Sequence, residues 1–124
     1  MAIGGEARAL EVARSESGFR DSNERFRKIA LTYRFEPEDH LPFICECSDP
    51  GCFECVMLGM GEYDRMRAHP SWFLLVAGHE EAEATHERII EAESGYAIVE
   101  KTGTAGAEAV LLHHPRQEQS RRVR

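Results

Sequence analysis

At 124 residues, 42% hydrophobic and with a net charge of −7, the chain can bury one modest core. No apolar run approaches the roughly 20 residues needed to cross a bilayer, so no membrane role is expected, and the acidic balance argues against a general nucleic-acid-binding surface. The opening run Met1-Ala2-Ile3-Gly4-Gly5-Glu6 is too polar for a secretory signal, which makes a reducing, cytoplasmic location the expectation.

Residues 1–18 are rich in Gly, Ala, Glu and Arg, with only Leu10 and Val12 as sizeable apolar groups between Ala7 and Arg14, so a flexible segment or frayed helix is expected. Asp21 or Ser22 then caps a helix, with Glu24 in capping-box position after Asp21. Phe26, Ile29, Ala30 and Tyr33 recur at helical spacing and predict one face packed on the remainder of the domain. Arg20, Arg25, Arg27 and Lys28 lie mostly on the other side, a basic cluster able to contact an anion but ordinarily a solvated face. Pro37 and Pro42 bracket an acidic linker, and Leu41 to Ile44 reads as a short strand.

All four cysteines, Cys45, Cys47, Cys52 and Cys55, fall within the next eleven residues. Thiolates are soft ligands suited to tetrahedral zinc, and between the two pairs Ser48-Asp49-Pro50-Gly51 can reverse the chain so that the pairs face each other. Disulfides would close only tiny loops and stabilise little, so a structural Zn2+ site is the leading reading, ahead of a redox dithiol or inert thiols. An iron–sulfur cluster is also compatible with four thiolates. Cys55 is the obvious fourth ligand, yet four sulfurs from one short loop are cramped. His79, preceded by Gly78 and followed by the acidic run from Glu80, is the alternative, arriving where a strand should hand over to a helix.

Val56-Met57-Leu58 reads as the returning strand, so the metal caps a hairpin, and Gly59 and Gly61 end it. Glu62 to His69 predicts a short helix with Tyr63 and Met66 inward, stopped by Pro70. Trp72 to Val76 is the most hydrophobic run and predicts a strand buried on both faces. Glu80 to Glu93 predicts a helix with Ile89 and Ile90 facing the core; Gly95 ends it and Tyr96 to Val99 makes a last strand. From Thr102 the composition suggests a disordered tail, with His113-His114-Pro115 and the arginines Arg116, Arg121, Arg122 and Arg124. The expected fold class is α+β: a small mixed sheet with a metal-capped hairpin, an N-terminal amphipathic helix and two further helices. Its divisions are a flexible 1–18, a zinc-stabilised domain over 19–101 and a basic tail over 102–124.

From Cys45 to about Lys101 the chain resembles a group of small bacterial proteins that share an ordered set of motifs. Here these are Cys45-Glu46-Cys47, Cys52, Glu62-Tyr63, Arg67-Ala68-His69-Pro70, the strand Phe73 to Val76, Gly78-His79 and Val99-Glu100-Lys101. The resemblance implies a three-cysteine, one-histidine site from Cys45, Cys47, Cys52 and His79; Cys55 departs from the pattern as a spare thiol. It carries no activity.

The spacing of His79, Glu80 and His86 fails the metalloprotease pattern, because position 83 is Glu where the second histidine belongs. No phosphate-cradling glycine loop or glycine-flanked nucleophilic serine occurs. The reading that follows is a non-enzymatic interaction or regulatory module whose partner is another protein. The alternatives are a thiol-based or zinc-responsive sensor using Cys52 and Cys55, and a nucleic-acid-associated regulator using the arginine-rich tail.

Overall fold

The computed structural model describes residues 2–47, 49, 51–80 and 86–116. Its elements run α1 (Ala2–Thr32), β1 (His40–Ile44), β2 (Cys55–Gly59), α2 (Met60–Arg67), β3 (Trp72–Val76), β4 (Glu87–Ala92), β5 (Tyr96–Lys101) and α3 (Gly103–Leu111). The class is α+β, with an N-terminal helix as expected. The strands form two small antiparallel sheets, β1-β2 and β3-β5-β4, where one mixed sheet was expected. Among the described residues no helix is long and apolar enough to cross a membrane.

The hairpin is built by alternation. Leu41 and Phe43 on β1 and Val56 and Leu58 on β2 point inward, while His40, Pro42 and Met57 face outward. Pairing Ile44 with Cys55 and Leu41 with Leu58 puts all four apolar side chains on one face. Phe43 stacks on Tyr63 of α2, ring centroids 4.1 Å apart, and Phe26 of α1 meets Phe43 edge-on at 5.6 Å. Glu62 accepts the Gly59 N–H and so closes the first turn of α2, and Gly61 donates to the Pro37 carbonyl.

Four expectations are corrected. Helix α1 starts near the N-terminus rather than at Asp21, because Ala9 and Ala13 dock on Ala105 of α3: the contact is made by small residues, which leave no apolar periodicity to read. The face of α1 that turns inward carries Glu16, Ser17, Arg20, Asn23 and Ala30; Phe26 is partly buried, whereas Ile29 and Tyr33 are exposed. The segment predicted as a helix to Glu93 forms β4 from Glu87, since pairing with β5 through a tight Glu93–Tyr96 turn overrides helix-favouring glutamates; residues 81–85 lie outside the described set. Ile90 lies at the bulge of this strand and packs on the core, while Ile89 is exposed. The supposed tail contains α3, which packs so closely on the end of β5 that a Cβ on Gly106 would lie 2.5 Å from the Lys101 carbonyl oxygen. Residues 117–124, with Arg121, Arg122 and Arg124, lie outside the described set.

One buried ammonium, Lys101 Nζ on β5, links α1 and β4: it lies 2.8 Å from Glu16 Oε1 and 2.5 Å from Glu87 Oε1. Burial pushes the Glu16 carboxyl up from 4.5 to about 8, against the pull of Lys101. A carboxyl whose folded pKa is raised contributes stability that is complete below its unfolded value and is lost as pH rises through the folded one. Stability should therefore decline from about pH 4.5 to about pH 8 through this group, and Glu16→Gln should flatten that decline. Urea midpoints measured across this range for both proteins check it; parallel curves would contradict it.

Candidate metal centre

The hairpin register brings the cysteine loop to one end of the molecule. Beyond the Ile44–Cys55 pair, the Cys45 N–H donates to the Glu54 carbonyl at 3.0 Å, which closes the loop's neck. Inside the loop, Asp49 accepts the Gly51 N–H at its side chain and the Cys52 N–H at its carbonyl, so the chain reverses and returns Cys52 toward Cys45 and Cys47. The other half of the site comes from the end of β3. The His79 N–H donates to the Val76 carbonyl at 2.9 Å across a turn whose third residue, Gly78, has φ +94°, as in a type II turn.

These two pieces bring Cys45, Cys47, Cys52 and His79 together, their ligand atoms all within 4.8 Å of one another. Cys45 and Cys52 Sγ lie 3.5 and 3.6 Å from His79 Nδ1. Bonds of about 2.3 Å to sulfur and about 2.0 Å to nitrogen at tetrahedral angles place S and N about 3.5 Å apart, so the donors fit a single tetrahedral ion. Cys55 stands outside the cluster, exposed on β2 next to the loop's neck. Of the two candidates for the fourth ligand, His79 is the one positioned with the three sulfurs.

The electrostatics of the site match a cation. Burial pushes the Cys45 and Cys47 thiols up. Backbone N–H groups oppose this: Val76 and Cys47 donate to Cys45, the former at 3.2 Å, and Asp49 donates to Cys47. A cation bound here would supply the remaining compensation by holding the sulfurs as thiolates. On its far side His79 Nε2 lies 3.3 Å from Glu54 Oε2, an arrangement that fixes the ring with Nδ1 toward the sulfurs.

Sequence reasoning missed the groups that hold this loop on the body, above all Glu46. Its side chain lies between two cysteines in sequence yet is fully buried, bonded to Asn23 of α1, Arg67 of α2 and the Leu74 N–H of β3. Arg67 in turn reaches the Tyr63 hydroxyl and the Trp72 carbonyl, and Arg20 donates to the Pro70 carbonyl. Glu46, Tyr63 and Arg67 thus form one buried polar network, to which Asn23 and the Leu74 N–H also belong. A carboxylate flanked by cysteines was the available signal.

No protein-family model, curated protein or solved structure matches this chain.

Substitutions separate the ligand sets. His79→Ala should lower bound zinc below one ion per chain, while Cys55→Ala should leave it unchanged. Gly78→Ala meets no neighbour within 4 Å, so its cost is the backbone strain alone, about 1–2 kcal/mol, taken from the metal-bound state. Elemental analysis and competition with a chromogenic chelator measure all three; a Cys55→Ala protein that loses its metal would contradict this assignment.

Proposed function

We propose that the chain is a small zinc-stabilised module whose work is to bind another protein, without catalysis of its own. The observation that carries this reading is the donor set: three sulfurs and one imidazole nitrogen within 4.8 Å of one another, a number and chemistry that fill a tetrahedral zinc shell. Three cysteines and a histidine are a ligand set of structural zinc sites, in which every coordination position is taken by protein and none is left for a substrate or an activated water.

The position of the cluster supports a structural role. It ties the hairpin loop to the end of β3, two segments that lie in different sheets. The binding function is supported by apolar side chains left at the surface, including Tyr33 on the turn after α1, Phe53 on the cysteine loop and Met57 on β2. Phe53 is 87% exposed and lies one residue beyond a ligand, so a surface read by a partner would depend on the ion. A cytoplasmic, reducing setting suits four unpaired thiols.

Protein made under reducing, zinc-replete conditions should carry one zinc per chain. Chelation should unfold the hairpin and the adjoining sheet together, because binding energy at such a site is folding energy. Circular dichroism and thermal unfolding before and after a high-affinity chelator check this. Removal of the ion with unchanged spectrum and melting temperature would overturn the structural role.

A further inference from the structure

The polar side of α1 opens on a cleft that the metal-centred reading leaves unused. Its walls are α1 from Arg20 to Lys28 and the strap His113–Arg116, and its volume is about 400 Å³. The strap is pinned across the helices by Arg116, which makes two hydrogen bonds to the Glu24 carboxylate and lies 3.1 Å from Asp64. In a chain of net charge −7, six arginines and lysines line this space against two carboxylates.

Pairing does not cancel that excess. Arg27 is engaged by Asp64, Arg67 by Glu46 and Arg116 by Glu24, which leaves Arg20, Arg25 and Lys28 outside these pairs, with Asp21 the remaining carboxylate of the lining. Arg20 is the unusual member. The residue is 1% exposed, yet the hydrogen bonds of its guanidinium go to the Pro70 and Ala109 carbonyls and the Ser17 hydroxyl, and it forms no ion pair with any described carboxylate. A buried cation ordinarily has an anion beside it. Burial, the largest effect, and the neighbouring Arg67 charge act against this one, and the Glu46 and Asp21 charges offset them only in part. Above it, His113 is held below its ordinary pKa by burial and by the Arg20 charge, so at neutral pH it offers a neutral imidazole.

We infer that this cleft binds a small phosphate-bearing anion, with Arg25 and Lys28 contacting the phosphoryl oxygens and Arg20 supplying the buried countercharge. Guanidinium groups match the oxygens of a phosphoryl group, and a space of this size exceeds what a bare halide needs. The bounded shape and the acidic body favour a small molecule over a nucleic-acid strand, whose backbone would run out across negative surface.

The test is a titration of the ¹⁵N-labelled 124-residue chain with orthophosphate, pyrophosphate and adenosine monophosphate, at an ionic strength held constant with sodium chloride. The expected result is saturable movement of amide signals in Arg20–Lys28 and His113–Arg116 with a Kd of about 1 mM or tighter for at least one ligand. Tighter binding of the nucleotide than of orthophosphate identifies a phosphate ester as the ligand, and equal binding identifies the phosphoryl group alone. The Arg25→Gln/Lys28→Gln variant alters two exposed side chains and should keep its fold and bound metal, but weaken binding at least about tenfold. Three results would overturn the inference: no saturable movement, equal affinity in the variant, or tighter binding of a single-stranded oligonucleotide with movement outside the cleft.

Discussion

The outer edge of β3 is completed by groups from outside its sheet, and the candidate metal site is built on that edge. A strand at the border of a sheet exposes unpaired N–H and C=O groups, which must find partners if the edge is buried. In β3 these belong to Trp72, Leu74 and Val76. The Leu74 N–H goes to the Glu46 carboxylate and the Leu74 carbonyl to the Glu46 N–H; the Val76 N–H goes to Cys45 Sγ, and Arg67 takes the Trp72 carbonyl. Two adjacent residues of the cysteine loop thus serve the edge as a short piece of strand would. Asn23 does the same for β1, accepting the Ile44 N–H and donating to its carbonyl.

This arrangement makes the polar core and the metal site one structure. Glu46 is fully buried and its charge is met by Arg67, by Asn23 and by a backbone N–H, so the carboxylate's desolvation is offset by contacts from three elements. Such a cluster adds little net stability compared with an apolar replacement, but an incomplete one costs several kcal/mol, so it holds the elements in one register. Because Cys45 and Cys47 flank Glu46, the register that satisfies the carboxylate also sets two of the four ligands. An ion held by Cys45, Cys47, Cys52 and His79 would reinforce the remaining link, from the loop to the turn after β3, which otherwise rests on the sulfur contacts of His79 and on its approach to Glu54.

Much of this was legible in the residues. The clustered cysteines, the turn residues between them and the alternation in Leu41–Phe43 and Val56–Leu58 specify a hairpin with ligands at its tip, and the short helix before Pro70 follows from its own periodicity. The signal failed where burial is polar or small. Glu16, Arg20, Asn23 and Glu46 look like surface residues by type, and only tertiary pairing makes them interior. Ala9, Ala13 and Ala105 make a helix–helix contact too small to register as an apolar stripe. The β4 segment contains enough glutamate and alanine to resemble a helix, and only its neighbour β5 decides otherwise. His79 was recognisable as a candidate from the glycine before it, but choosing it over Cys55 required the geometry.

Hydrogen exchange at two amides tests the linkage between metal and edge most directly. The N–H groups of Leu74 and Val76 face away from β5 and are protected by Glu46 and Cys45 respectively. In the zinc-bound protein both should exchange slowly, and removal of the ion should speed both together, along with the Glu46 amide. Slow exchange at Leu74 and Val76 that persists unchanged in metal-free protein would show that the edge is held without the ion, and would contradict the account.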